Sequence, residues 1–291
     1  MSWLRRNALM IYAGLAVAYM LVPIAVIAVF SFSEAPRDRL DFSLAGGFTL
    51  EYWQHAFADQ ELNDALLLSL ELAGLTTVVA TAIGTMMALA LVRHQFFGRR
   101  VTNLLIVLPM ATPEIVIGAA LLSMFVIYGV ERDFTTLLIA HVMFSISFVV
   151  IVVRSRLIGF DRSIEEAAAD LGATSFQTFR YVTLPLLAPG VLAAGLLAFA
   201  LSIDDFVISN FNSGTTVTFP LYVYGVALRG IPIQVNVLAT LLFLLVVAAV
   251  ALVIWQQRRA ERMAAVRPEE EPETFVGTPV APPPAPGAAG G

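Results

Sequence analysis

Cysteine is absent from the chain, which excludes disulfides and thiolate chemistry. Lysine is absent too: all 17 basic residues are arginine. No G-x-x-x-x-G-K-[ST] phosphate loop is therefore possible, and energy for active work must come from a partner or an ion gradient. Charge of either sign is scarce, at 13% of residues, where globular domains carry roughly a quarter. The three histidines, His55, His94 and His141, are scattered without ligand spacing. Neither G-x-S-x-G nor H-E-x-x-H occurs, so metal sites, catalytic residues and nucleic-acid binding all lack support. His141 reads as a hydrogen-bonded helix contact rather than a proton relay.

What the chain has in place of charge is oil. Hydrophobic residues make up 58% and the mean hydropathy is +0.82, the composition of a membrane protein. Apolar runs of bilayer-crossing length, about 20 residues, fall at 8–30, 65–91, 102–128, 134–153, 186–209 and 235–255, predicting six spans. Arginine near span ends is retained in the cytoplasm. One side collects Arg5, Arg6, Arg93, Arg99, Arg100, Arg154, Arg156, Arg162, Arg180, Arg258, Arg259, Arg262 and Arg267, whereas the other holds only Arg37, Arg39, Arg132 and Arg229. Both termini are expected in the cytoplasm. The first span is too long for a signal-peptide core and is expected to stay as an uncleaved anchor.

The permease domain is expected over 1–258. Residues 48–57, FTLEYWQHAF, suggest a short interfacial helix in the first external loop. Residues 259–291, rich in Pro, Gly, Ala and Glu, predict a disordered cytoplasmic tail.

The polar stretch EEAAADLGATSFQTFRYVTLP at 165–185 interrupts this oily text. Ser163 with Glu166, and Thr174 with Gln177, have capping-box spacing, and Gly172 between them suits a left-handed helix end. Two short helices, about 164–171 and 175–182, are expected, with Phe176 and Phe179 on the second and Pro185 closing the unit. Helices this short are marginal alone and need a protein surface; packing on the chain's own bundle and docking to a partner are both open.

The same residues resemble the EAA signature of permease subunits in ATP-binding-cassette importers. Glu166, Ala167, Ala168, Gly172, Leu184 and Pro185 match it in place, with Val182 standing for Ile. LPMATPEIVIGAALL at 108–122, ALSIDDFVISNF at 200–211 and NVLATLL at 236–242 are similar to the second permease of spermidine/putrescine importers. The resemblance implies an all-α membrane protein of the type I importer permease fold, six transmembrane helices with a cytoplasmic coupling-helix loop at 154–185. It implies as partners a second permease, two ATPase subunits that bind ATP and Mg, and an extracytoplasmic binding protein, with no cofactor in this chain and a bacterial inner-membrane location.

An ionisable residue inside a span costs about 2.5–3.5 kcal/mol on insertion scales and is a functional candidate by default. Glu114 lies roughly 18 Å into the third run, between Pro109 and Pro113, where the helix is expected to kink or break. It either faces a pathway or caps the restarting helix. Asp204 and Asp205 end the fifth run, about 100° apart on a helix, so one can face a pore while the other binds a helix end. With Tyr222 and Tyr224 available for cation–π contact, these acids suit a slender polycation. Another small organic solute is the alternative, and a gradient-driven transporter would also use such acids.

Overall fold

The structure, a computed structural model, describes residues 2–33, 47–228 and 230–266. All regular structure there is helical apart from one isolated bridge between Ser33 and Phe48. The elements are α1 (Ser2–Phe30), α2 (Glu51–Gln54), α3 (Gln60–Arg93), α4 (Arg99–Ala111), α5 (Glu114–Ile127) and α6 (Phe134–Ile158). They continue as α7 (Ser163–Asp170), α8 (Ser175–Thr178), a π-helical turn (Phe179–Thr183), α9 (Leu184–Ile203), α10 (Val207–Asn212), α11 (Phe219–Ala227) and α12 (Ile233–Val266).

Among the described residues, four helices are long and apolar enough to cross a membrane: Asn7–Phe30, Gln60–Arg93, Phe134–Ile158 and Ser175–Ile203. The third expected run is not one straight helix. It divides into α4 and α5, bent by 112°, and the pair makes a fifth span if counted together. The cause is local. Pro113 disfavours helical geometry in the residue before it, and Thr112 is extended at φ −93°, ψ 133°. The run expected at 235–255 falls within α12, whose described apolar stretch is Ile233–Ala248.

The core of the unit formed by residues 1–240 is a three-helix contact of α3, α6 and α9. Small residues let the backbones approach, as in membrane helix pairs generally: Ala80, Gly84 and Ala88 on α3, and Ala194, Gly195 and Ala198 on α9. Val149, Val150 and Val153 of α6 fill the space between them. α6 starts on a capping box in which Asp133 accepts from the Thr136 amide and Thr136 answers the Asp133 amide. A second cluster joins Leu121 and Phe125 of α5, Ala140 and Phe144 of α6, and Ile208 of α10. Residues 241–291 group as a separate unit, and its described part continues α12.

The short helix expected within 48–57 is present as one turn, α2, with Trp53 stacked on Phe32 at 5.0 Å. The expected tail boundary needs correction. The helix of the sixth run continues to Val266 instead of giving way at 259, since Ala, Arg and Glu are good helix formers and no breaker precedes Pro268. The rest of the expected tail, 267–291, lies outside the described residues.

A Cβ at Gly84 would stand 2.6 Å from Val149 Cγ1 and 2.8 Å from its Cβ. Gly84→Ala is therefore expected to cost about 1–3 kcal/mol and to lower the unfolding temperature of the detergent-purified protein. Gly74, with nothing within 4 Å of its added carbon, is the control: Gly74→Ala should leave that temperature unchanged or raise it.

Candidate functional site

Two regions hold the residues singled out in the sequence: the connection between α6 and α9, and the helix breaks around Glu114 and Asp204.

In the first region α7 starts differently from the expected box. Arg162 is the N-cap and gives no side-chain bond, and Ser163 lies inside the first turn. The amide of Ser163 donates to Asp161 Oδ1 at 2.9 Å. Asp161, two residues upstream, takes the amide that the Glu166 side chain would bond in the expected box, and the Ser163 amide and hydroxyl hold its carboxyl below the usual carboxylate range. The end of α7 follows the expected pattern: Gly172 has φ +86°. Its amide donates to Ala169 O and that of Ala173 to Ala168 O, the paired bonds of a Schellman motif. The second box is present: Thr174 Oγ1 accepts from the Gln177 amide, and Gln177 Oε1 accepts from the Thr174 amide at 2.8 Å.

Pro185 does not close this unit. The second short helix passes through the π-helical turn into α9, giving continuous helix over Ser175–Ile203. Pro185 has no amide to donate to Tyr181 O, and its ring crowds that carbonyl. A wider turn, in which the Leu184 amide bonds Phe179 O, relieves the clash.

The turn carries a contact that sequence reasoning missed. Arg93, the last residue of α3, donates through Nη2 to Glu165 Oε1 at 3.0 Å and lies 3.0 Å from Oε2. Thr183 Oγ1, buried in the turn, donates to the same Oε1 at 2.6 Å. The Arg93 guanidinium also lies over the Phe160 ring, 5.5 Å from its centroid. Exposed ion pairs contribute about 0–1 kcal/mol; this one is half-buried and shares its acceptor with a hydroxyl. Glu166 and Ala167 are exposed, as are Leu184 and Pro185, while Ala168 is half-buried. Ile164, Leu171, Phe176 and Tyr181 are exposed large apolar groups of the same connection, Leu171 at 90% and Phe176 at 71%. Phe176 is therefore left largely uncovered by the described residues.

In the second region the adjacent acids part company. Asp205 is buried: its Oδ1 accepts from the Ile208 amide, and Oδ2 accepts from the Ser209 amide and hydroxyl. It caps α10, and His141 Nε2 of α6 lies 3.3 Å from Oδ2. His141 also bonds Ser202 Oγ through Nδ1 at 2.8 Å and Ser209 Oγ through Nε2 at 3.0 Å. His141 is thus the hydrogen-bonded helix contact that the sequence suggested. It joins the end of α9 to the start of α10. The far end of α10 is held as well: Asn212 Nδ2 donates to Ile208 O and Gly118 O, and Thr136 Oγ1 donates to Asn212 O.

Asp204 and Glu114 remain exposed. Glu114 opens α5 directly after Pro113, where the helix dipole favours an acid, and it is close enough to Asp204 and Asp205 to feel their charges. The cap and the open position therefore coexist. Tyr222 donates its hydroxyl to Asp59 Oδ2 at 2.9 Å. Tyr224 is exposed and packs on Phe206, with centroids 4.6 Å apart.

Several membrane-crossing helices, one of them broken at an acid, with a capped polar connection held at the end of the bundle, define a multi-pass membrane transport component. Residues 80–262 match the family described as binding-protein-dependent transport system inner membrane component, and the chain belongs to that family. The gradient-driven alternative has no place there. Spermidine/putrescine transport system permease protein PotC of Haemophilus influenzae is 35% identical over 248 residues, 85% of this chain and 94% of that protein. Putrescine transport system permease protein PotI of Escherichia coli is 34% identical over 257 residues, 85% and 90% of the two chains. Among solved structures, a chain of a bacterial ABC transporter involved in the import of the acidic polysaccharide alginate has a TM-score of 0.63 at 16% identity. The match covers 90% of this chain and 98% of that one, and it shows the fold.

Removing the Asp205 carboxylate leaves the buried Ile208 and Ser209 amides without their acceptor, at about 1–3 kcal/mol per unsatisfied group. Asp205→Ala should accordingly lower the unfolding temperature of the detergent-purified protein by several degrees, while Asp204→Ala leaves it within error. Equal shifts in the two variants would refute this division between the acids.

Proposed function

We propose that this chain is a permease subunit of an ATP-driven polyamine importer, forming half of the path for spermidine or putrescine. The carrying observation is the relationship to PotC and PotI across at least 85% of each of those proteins; the separation of the acids supports it. In this reading the chain crosses the inner membrane six times, with α12 as the last span and both termini in the cytoplasm. The permease domain covers 1–258. The chain performs no catalysis; ATP and Mg are bound by two ATPase subunits beneath it. A second permease completes the path, and an extracytoplasmic binding protein delivers the solute.

The mechanism divides between the two regions. α7 is the coupling helix, presenting Glu166, Ala167 and Ala168 to a cleft of the ATPase, with Gly172 setting its exit and Leu184 and Pro185 its connection to the bundle. The exposed Ile164, Leu171, Phe176 and Tyr181 supply the apolar area that such a contact buries. On the path side, Glu114 and Asp204 are the carboxylates left open to a polycation, with Tyr224, packed on Phe206 two residues from Asp204, available for cation–π contact. Asp205 and Tyr222, also candidates from the sequence, are occupied by α10 and Asp59, so they serve by holding the site.

Glu166→Arg is expected to abolish uptake while the protein still reaches the membrane, and undiminished uptake in that variant would overturn the coupling role of α7. For the path, Glu114→Gln and Asp204→Asn in the assembled complex should each raise the apparent KM for spermidine about tenfold, equivalent to about 1.4 kcal/mol. Competition by polyamines, amino acids and sugars tests the solute class. A complex inhibited by neutral sugars and indifferent to polyamines would refute the polyamine assignment.

A further inference from the structure

The Arg93–Glu165–Thr183 contact has no part in the mechanism above, yet it lies where the connection meets the bundle. Its three members come from three elements. Arg93 ends α3, Glu165 lies in the first turn of α7, and Thr183 ends the π-helical turn that runs into α9. α3 and α9 face each other in the core. Phe179, in the same turn as Thr183, lines a groove of about 600 Å³ between them. One carboxylate thus holds the ends of two packed helices to the start of α7.

We propose that Glu165 is a positioning residue for coupling: it ties α7 to α3 and α9, so that displacement of α7 is delivered to those two helices instead of being absorbed by the flanking turns. Without the tie, two features flanking α7 have room to swing. One is the segment after Ile158, where Gly159, Phe160 and Asp161 precede the helix. The other is Gly172, whose left-handed backbone admits other conformations at small cost. With the tie, both oxygens of Glu165 are engaged: Oε1 accepts from Arg93 and Thr183, and Oε2 faces Arg93. Glu166, the next residue, is exposed on α7. Adjacent side chains point about 100° apart on a helix, so the two glutamates divide the work, one inward to the bundle and one outward.

The inference rests on α7 being the coupling helix, and its test separates the two ideas. In the assembled importer reconstituted in lipid, both ATP hydrolysis and solute uptake are measured. Glu165→Gln keeps the shape of the side chain, removes its charge and leaves Glu166 in place. It should retain the co-purifying ATPase and its hydrolysis while lowering solute moved per ATP at least threefold. Arg93→Glu should behave alike, and the swapped pair Arg93→Glu with Glu165→Arg should recover most of the ratio.

The absence of native cysteine makes a second arm possible. Arg93→Cys with Glu165→Cys should be poorly coupled when reduced and regain coupling when a short bis-maleimide joins the two thiols. The proposal is overturned if Glu165→Gln transports at the wild-type ratio, if the swapped pair is no better than either single variant, or if cross-linking leaves the ratio low. Loss of the ATPase itself from Glu165→Gln would also overturn it, by making Glu165 part of the docking face. Glu166→Arg with normal uptake would instead refute the coupling reading on which the inference stands.

Discussion

The rule that governs this chain is that a backbone group inside a bilayer must find its partner within the protein, because lipid offers none. An unbroken helix obeys automatically, and α3 and α6 do so over 34 and 25 residues. Wherever the helix stops within the apolar part of the chain, a side chain has to replace the missing bond. Thr112 Oγ1 donates to Leu108 O, returning a donor where the helix ends. Asp205 accepts from the first amides of α10, and Asn212 answers carbonyls on both α10 and α5. The polar residues that look costly in a hydropathy reading are mostly the replacements that permit these breaks.

This separates residues that make a site possible from those left over to use it. Asp205 is consumed by α10 and His141, and Tyr222 by Asp59, whereas, among the described residues, Glu114 and Asp204 are not enclosed by comparable partners. A break is what places Glu114 at the start of a helix, where an acid is favoured, and what leaves it uncovered. Composition makes the same acids conspicuous, but it cannot rank them, because ranking depends on which neighbours arrive from elsewhere in the fold.

That distinction also marks how far the sequence was legible. The local devices were readable: the Thr174–Gln177 box, the left-handed Gly172, and the break at Pro113 all depend on residues within a few positions of one another. The Ser163–Glu166 box had equally good spacing and failed because Asp161 competes for the same amide. Pro185 looks like a stop, but a π-helical turn absorbs a proline that a regular helix does not. The long-range partners were not readable. His141 meets Ser202 across 61 positions, Arg93 meets Glu165 across 72, and Tyr222 meets Asp59 across 163. Periodicity says which face a residue occupies and nothing about which helix will lie against that face.

The short helix α7 shows why these long-range contacts matter to what the chain does. Eight residues are too few for an isolated helix to persist in water, and α7 buries none of its side chains completely. It is ordered by its ends: the Asp161 bond at the start, the paired Schellman bonds at Gly172, and the grip of Arg93 and Thr183 on Glu165. Each of these uses the backbone or the side facing the bundle. None consumes Glu166, Ala167 or Leu171. A helix stabilised in this way keeps an outer face free for another protein without needing that protein in order to form. In the coupling role proposed for α7, that is what lets one part meet a partner at one surface and the bundle at another.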